Sequence, residues 1–499
     1  MKKVYLPRTY AGYGWMAAIW CLSVLGLPLR TPAQSPLPAP LKRFLEKPAL
    51  KGASVSLMVK ETAGGRELYR FDADRELTPA SVLKTVTTAS ALALLGEDFR
   101  YETSLLYDGE IRDGVLDGNL YVYGTGDPTL NSSELHAVKD SLPALWTAAV
   151  KTAGIRKITG CVVADESIFD TEGVSMKWMR EDMGSYYGAG SYGLNIFDNQ
   201  YALYLETEGA GATPSISRCE PAMPLLVFHN YLKTAPVSTD SCYITGFPFS
   251  NERYLYGVVP ARHSRIKLKG DIPDPSLFVA HYFNRYLVRN GIEVQGEPSC
   301  YRILSASGRW PSVARKTLVT TYSPALKDLL RITHFASQNL YADALLKTLG
   351  GQYLPESQEV LSSFEKGVRV IGNYWRQRGL NTASLWMYDG SGLASSNKVT
   401  ARFLCDLYVF MATRPEFSDT YLRSLPQAGV EGTVRTMLKG SALEGKARLK
   451  SGSMSRVRCY GGYVLKDGKQ YAVAILINQF SGKNSLMRAD VEELLLSLF

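Results

Sequence analysis

Histidine is scarce, with five in 499 residues, and neither a His-Glu-x-x-His nor a Cys-x-x-Cys spacing occurs. Zinc sites are assembled from such clusters, so no metal is expected, and no other cofactor is called for. Blocks of Lys and Arg are missing as well. Of the net charge of +9, four units fall in residues 1–33 and the other five are dispersed, which gives no footprint for nucleic acid but suits capture of an anionic substrate. No internal repeat is present, which excludes a solenoid. Beyond residue 30 no stretch approaches the ~20 apolar residues that a membrane span needs.

Acidic residues are absent from 1–33, whereas Lys2, Lys3, Arg8 and Arg30 lie there. An apolar run over 15–29 ends at Pro28-Leu29, and Ala33 follows as a small residue for cleavage. This is the layout of a secretory signal peptide, with a Pro-rich linker at 34–41. The expected location is therefore outside the inner membrane, in the periplasm. An uncleaved segment is the alternative and would hold the protein peripherally at the membrane. Trp20 is too bulky before Cys21 for a lipoprotein site. Export permits disulfides. Six cysteines remain after the signal, and Cys219 with Cys242 is the expected pair. Cys405 and Cys459 read as buried thiols.

A chain of this length exceeds a single core. Residues 53–59 alternate as a strand, and 80–95, rich in Ala and Leu and closed by Gly96, read as a buried helix. Residues 276–289, 326–334 and 339–349 carry helical patterns. Near the end, 461–465 and 471–477 form a hairpin turned by Lys466-Asp467-Gly468, and 492–499 closes as a helix. Between these ends, 100–311 is rich in Tyr and Gly with short apolar runs. The expectation is an α/β (α+β) domain, 42–99 with 312–499, interrupted by a mostly β insertion at 100–311 that divides into two subdomains.

Three short motifs carry chemistry. Ser81-Val82-Leu83-Lys84 places a hydroxyl and an amine on one helix face. A serine needs a base within reach, and a lysine desolvated by an apolar helix can become one. Ser264/Lys267, Ser363/Lys366 and Ser395/Lys398 repeat the spacing, but only Lys84 would be buried without purpose unless paired. Ser337-Gln338-Asn339 precedes a helix, where a plain N-cap is the bland reading. Ser395-Ser396-Asn397 matches the same pattern. Lys450-Ser451-Gly452-Ser453 stands on an edge strand, where a lysine commonly only deters aggregation. Its functional reading has Lys450 attracting a carboxylate, Gly452 allowing close backbone approach and the Ser453 N–H donating to an oxyanion.

Together these motifs resemble those of penicillin-recognising serine enzymes. The chain is similar to the class C low-molecular-mass penicillin-binding proteins, the D-alanyl-D-alanine carboxypeptidase/endopeptidase family. The resemblance extends through Gly118-Asn119-Leu120-Tyr121, Gly124-Thr125-Gly126-Asp127-Pro128-Thr129-Leu130, Asp389-Gly390-Ser391-Gly392-Leu393 and Gly429-Val430-Glu431-Gly432-Thr433. The 256 positions from Ser81 to Ser337 match the long insertion of that class. Gln338 stands where the family usually has Asp, and Ser451 and Ser453 where it has Thr.

The resemblance implies a penicillin-binding/β-lactamase-like transpeptidase domain whose Ser81 is acylated by peptidoglycan stem peptides and by β-lactams. Lys84 is then the base, Ser337 a proton relay bridging Lys84 and Lys450, and Asn339 the substrate holder. Ser451, Gly452 and Ser453 belong to the carboxylate and oxyanion sites. Asp182, with Glu181 beside it, matches the acidic residue that meets the free amine of the stem peptide. The alternatives are a β-lactamase or esterase on the same fold, or a non-catalytic wall-binding homologue, for which Gln338 is the only support.

Overall fold

The computed structural model describes residues 37–136, 140–262, 266–355 and 359–499. The segment read as a signal, and Ser264, lie outside them.

One half of the chain is built on a five-stranded antiparallel sheet. Its strands are β1 (Ser54–Glu61), β2 (Glu67–Phe71), β3 (Ala447–Met454), β4 (Val457–Lys466) and β5 (Lys469–Asn478), in the order β3-β4-β5-β1-β2. Alternation along β5 sorts its side chains between two cores. Ala472, Ala474 and Leu476 face one cluster with Met58, while Val473, Ile475 and Ile477 face the other with Val55, Leu57 and Val59. Helices α1 (Ala39–Leu45) and α7 (Asn484–Leu498) cover the second face through Leu41, Phe44, Val491 and Leu495. The first face is covered by α2 (Lys84–Leu95), α4 (Leu326–Phe335), α5 (Asn339–Tyr353) and α6 (Ala401–Ala412). Each fully buried Leu, Ile or Val here contributes roughly 1.5–3 kcal/mol by removal from water.

Helix α2 is poor in intrinsic propensity, with Thr85, Thr87, Thr88 and Val86 in its first turns. Packing and hydrogen bonds hold it. Thr85 Oγ1 meets Tyr408 Oη at 2.9 Å, Thr87 Oγ1 donates to Gly390 O at 2.8 Å, and Trp375 Nε1 donates to Ser90 Oγ at 2.8 Å.

The chain leaves this half after α2 and returns along its own path. The strand Glu102–Tyr107 pairs with Lys316–Tyr322, Glu102 opposite Tyr322. Both belong to a second five-stranded sheet completed by Leu120–Gly124, Val162–Asp165 and Ser299–Cys300. The intervening sheet therefore takes in residues beyond 311. Helix α3 (Pro275–Arg289) packs on this region, and smaller sheets around Gln200–Glu206 and Glu252–Pro260 share its core. At that core's edge, Arg253 is fully buried and donates from Nη2 to Asp271 Oδ1 at 2.8 Å and from Nε to the same oxygen at 3.1 Å.

The expected Cys219–Cys242 pair is not formed. Cys219 lies on Ser215–Glu220, in the sheet with Gln200–Glu206, and Cys242 on Ser241–Thr245, which pairs with Glu252–Pro260. Proximity in sequence did not bring them together, and all six described cysteines are free thiols. Cys405 and Cys459 are buried, as expected. Among the described residues no helix is long and apolar enough to cross a membrane.

Candidate active site

Ser81 sits in a tight turn, Ala80–Leu83, that runs directly into α2. Ala80 is held at φ +47°. A side-chain-bearing residue in that region costs roughly 1–3 kcal/mol, and here the turn sets Ser81 at the mouth of the helix. Gly452 on β3 explains how close the sheet comes. A Cβ at that position would stand 2.6 Å from Pro79 O and 3.1 Å from Ser81 N. Only glycine lets the edge strand run against the nucleophile's own backbone.

Lys84 is fully buried. Its Nζ donates to Ser81 Oγ at 3.0 Å, to Asn339 Oδ1 at 2.6 Å and to Ser391 O at 2.7 Å. An ammonium has three protons to donate, and all three are matched. When neutral, the amine keeps the two shorter bonds to Asn339 and Ser391 and turns its lone pair to the Ser81 hydroxyl. Burial pulls its pKa down to about 8, against the opposing pull of the Asp343 and Asp389 charges.

Asp343, one turn beyond Asn339 on α5, accepts at Oδ1 from Gly390 N at 2.7 Å and Ser391 N at 3.0 Å. It thereby fixes the peptide whose carbonyl holds Lys84. Its Oδ2 is buried without a partner, and burial, then the Asp389 charge, push its pKa well up. Asp389 closes the same loop on itself, accepting from Gly392 N at 2.8 Å and Ala394 N at 2.6 Å.

Lys450 is the second buried amine. It donates to Ser337 Oγ at 2.9 Å and to Ser451 O at 2.7 Å. Burial, with Lys84 and then Arg458 nearby, holds its pKa well below the ordinary lysine value. Ser337 does not cap α5. Gln338 occupies the cap position without a side-chain bond, and Ser337 adopts φ +58°, which aims its hydroxyl at Lys450. Of the bridge expected at Ser337, only the Lys450 half is made, because Lys84 spends its protons elsewhere. His334 lies beneath, between Thr88 Oγ1 at 2.9 Å and Ser424 Oγ at 3.1 Å. Burial and the Lys450 charge hold its pKa down to about 3, so the ring is neutral.

The inserted region closes the site from above. Asn339 Nδ2 donates to Tyr187 O at 2.7 Å, and Trp178 Nε1 to Asp389 Oδ2 at 2.8 Å. Asp182 lies between these two anchors, 5% exposed, and accepts from Met179 N at 3.2 Å. It thus caps the turn at 179–182, and burial raises its pKa. Glu181 is exposed. Ser451 Oγ donates to Thr433 Oγ1 at 2.9 Å, and Ser453 is exposed on the same strand.

Two of the other Ser-x-x-Lys pairs are spent on structure. Ser363 bonds Asp170 while Lys366 reaches Pro355 O, and Lys398 donates to Thr78 Oγ1 and Ser395 O. Among the described residues no group of His, Cys, Asp or Glu is placed to hold a metal ion. Sequence reasoning passed over Asp343. Its position four residues after Asn339, on one helix face, was the available signal.

A serine paired with a buried lysine and backed by a second amine–hydroxyl pair defines an active-site-serine acylating enzyme. Residues 37–494 match the D-Ala-D-Ala carboxypeptidase 3 (S13) family, and the chain belongs to that family, the class C low-molecular-mass penicillin-binding proteins. It is 29% identical to a D-alanyl-D-alanine carboxypeptidase of Actinomadura sp., over 90% of this chain and 82% of that one. It is 26% identical to the D-alanyl-D-alanine carboxypeptidase DacB of Haemophilus influenzae, over 86% of each. The crystal structure of penicillin binding protein 4 (dacB) from Haemophilus influenzae superposes with a TM-score of 0.77 at 24% identity, covering 90% of this chain and 96% of that chain. The fold is thus the mixed α/β penicillin-binding architecture, and the protein is a serine-type D-Ala-D-Ala peptidase.

Proposed function

We propose that Ser81 attacks the carbonyl of the penultimate D-alanine in peptidoglycan stem peptides, at free D-alanyl termini and at D-alanyl cross-links. The bond chain from Ser81 through Lys84 to Asn339 carries this reading. Neutral Lys84 takes the Ser81 proton as the ester forms. Ser337, held by Lys450, relays that proton from Lys84 to the leaving amine; the neutral Lys84 then takes a proton from the attacking water and returns it to Ser81 Oγ as the ester breaks. The N–H groups of Ser81 and Ser453, next to the close approach at Gly452, stabilise the oxyanion, each donor supplying about 2.7–4 kcal/mol in comparable sites. Ser451 and Ser453 take the substrate carboxylate, with the buried Lys450 acting on it through charge, while Asn339 holds the peptide backbone. Asp182 receives the free amine of the stem peptide's diamino acid. β-Lactams form the same ester on Ser81 and leave slowly.

The division into a catalytic domain (42–99 with 312–499) and an inserted region belongs to this reading, as does export to the periplasm on a signal at 1–33.

Labelling with fluorescent penicillin tests the nucleophile. Ser81→Ala is expected to abolish both labelling and D-alanine release, whereas Ser395→Ala leaves both intact. Labelling that persists in Ser81→Ala, or that depends on Ser395, would overturn the assignment.

A further inference from the structure

The inserted region holds a concavity of about 650 Å³ away from the serine. One wall is the strand Ile266–Asp271, whose period of two places Lys267 and Lys269 on one exposed face. The other is α3, where Arg285 and Arg289 are four residues apart and share a face. None of these four cations makes an ion pair among the described residues. Burial, then the Arg289 charge, lowers the pKa of Arg285, so the two arginines stand together at a cost. The two carboxylates in the lining are engaged: Asp140 accepts from Tyr282 Oη, and Glu220 is 3.6 Å from Arg218. Tyrosine rings complete the walls. Tyr204 has Arg218 at 4.1 Å and Lys267 at 5.7 Å from its ring centre.

A chain of contacts links this wall to the active site. Lys269 Nζ lies 5.7 Å from the centre of the Tyr186 ring, Tyr186 packs edge-on against Tyr187 at 5.4 Å, and Tyr187 O takes the amide of Asn339. Unpaired cations attract anions, and flat amphipathic rings suit sugar faces as well as hydroxyls. A concavity of this size admits a chain of rings rather than the plane of a bilayer.

We propose that this groove binds a carboxylate-bearing glycan strand of the polymer whose stem peptides reach Ser81. The polymer's identity rests on the function proposed above; the binding itself does not require catalysis.

The test is co-sedimentation of the protein with insoluble peptidoglycan, with the same material after amidation of its carboxyls, and with anionic lipid vesicles. The variants are Lys267→Glu/Lys269→Glu and Arg285→Gln/Arg289→Gln, on two different elements, each checked by circular dichroism. Both are expected to weaken polymer binding about tenfold or more at low salt while keeping the wild-type rate of penicillin acylation. Amidated polymer is expected to bind poorly, and Ser81→Ala to bind native polymer as wild type does. Because that last arm needs no turnover, failure of the peptidase reading would not mimic failure of the groove. Variants that sediment like wild type would overturn the proposal, as would equal binding to amidated polymer or a preference for vesicles.

Discussion

Lys84 Nζ stands 2.6 Å from Asn339 Oδ1, although 255 positions separate the two residues. That contact, with the one to Ser391 O, occupies two of the three directions of the amine and leaves the third for Ser81. On the proposed mechanism, the protonation state of Lys84 governs whether acylation can begin.

Acylation is expected to follow the neutral fraction of Lys84. Its pKa is lowered to about 8, so the second-order rate with penicillin should rise with pH, level off above about 8, and fall about tenfold for each unit below. Lys84→Arg keeps a cation but cannot surrender its proton. A loss of about 100-fold or more is expected; a rate near wild type would mean that Lys84 acts only through charge.

Asp343 tunes that base from beneath. In its ionised form it raises the Lys84 pKa, and its own pKa is pushed up to about 8, so Asp343→Asn, which can still accept from Gly390 and Ser391, is expected to move the top of the rising limb, near pH 8, to lower pH and to leave the limb well below that pH in place. Asp343→Ala strands two buried N–H groups, at a cost of about 1–3 kcal/mol each, and should slow acylation at every pH. A profile unmoved in Asp343→Asn would show that the residue serves the loop alone.

Asp182 faces a sharper choice. If its buried carboxyl receives the stem-peptide amine, Asp182→Asn should lower kcat/KM on peptides with that amine free by about tenfold, the scale of one charge-assisted bond. Amine-blocked peptides and penicillin should react as before. Equal losses on all substrates would assign Asp182 to the turn at 179–182 instead.

The inserted region depends on the buried Arg253–Asp271 pair. Arg253→Ala leaves Asp271 buried without its partner, and a loss of about 3–5 kcal/mol is expected. Urea denaturation monitored by tryptophan fluorescence measures it; a loss under 1 kcal/mol would show that the pair contributes little.

Local patterns carried much of this structure. The hairpin turned at Lys466-Asp467-Gly468 and the buried helix ending at Gly96 form as read, because alternation and turn chemistry are local. The last helix begins earlier than expected, at Asn484, since its first turns lack a strong apolar stripe. The motif residues were legible from spacing and setting. What escaped was decided by long-range packing. Nothing near Ser337 signals its left-handed backbone, and the role of Asp343 exists only because the loop at 389–392 is folded over α5. The Cys219–Cys242 expectation failed for the same reason: strand order, not distance along the chain, determined their neighbours.

Strand β1 lies between β5 and β2, its Ser54 opposite Asn478. The serine segment is thus synthesised early, yet the sheet that positions it closes only when the final strands arrive. Pairing across such a separation pays a large loop entropy and is slow. Ser81 is made 256 positions before Ser337 and 369 before Lys450, so on the proposed mechanism it cannot be acylated until that later chain has been added and folded beside it. The order of the strands thus works as a timing device, which on the proposed mechanism arms the serine only at the end of folding.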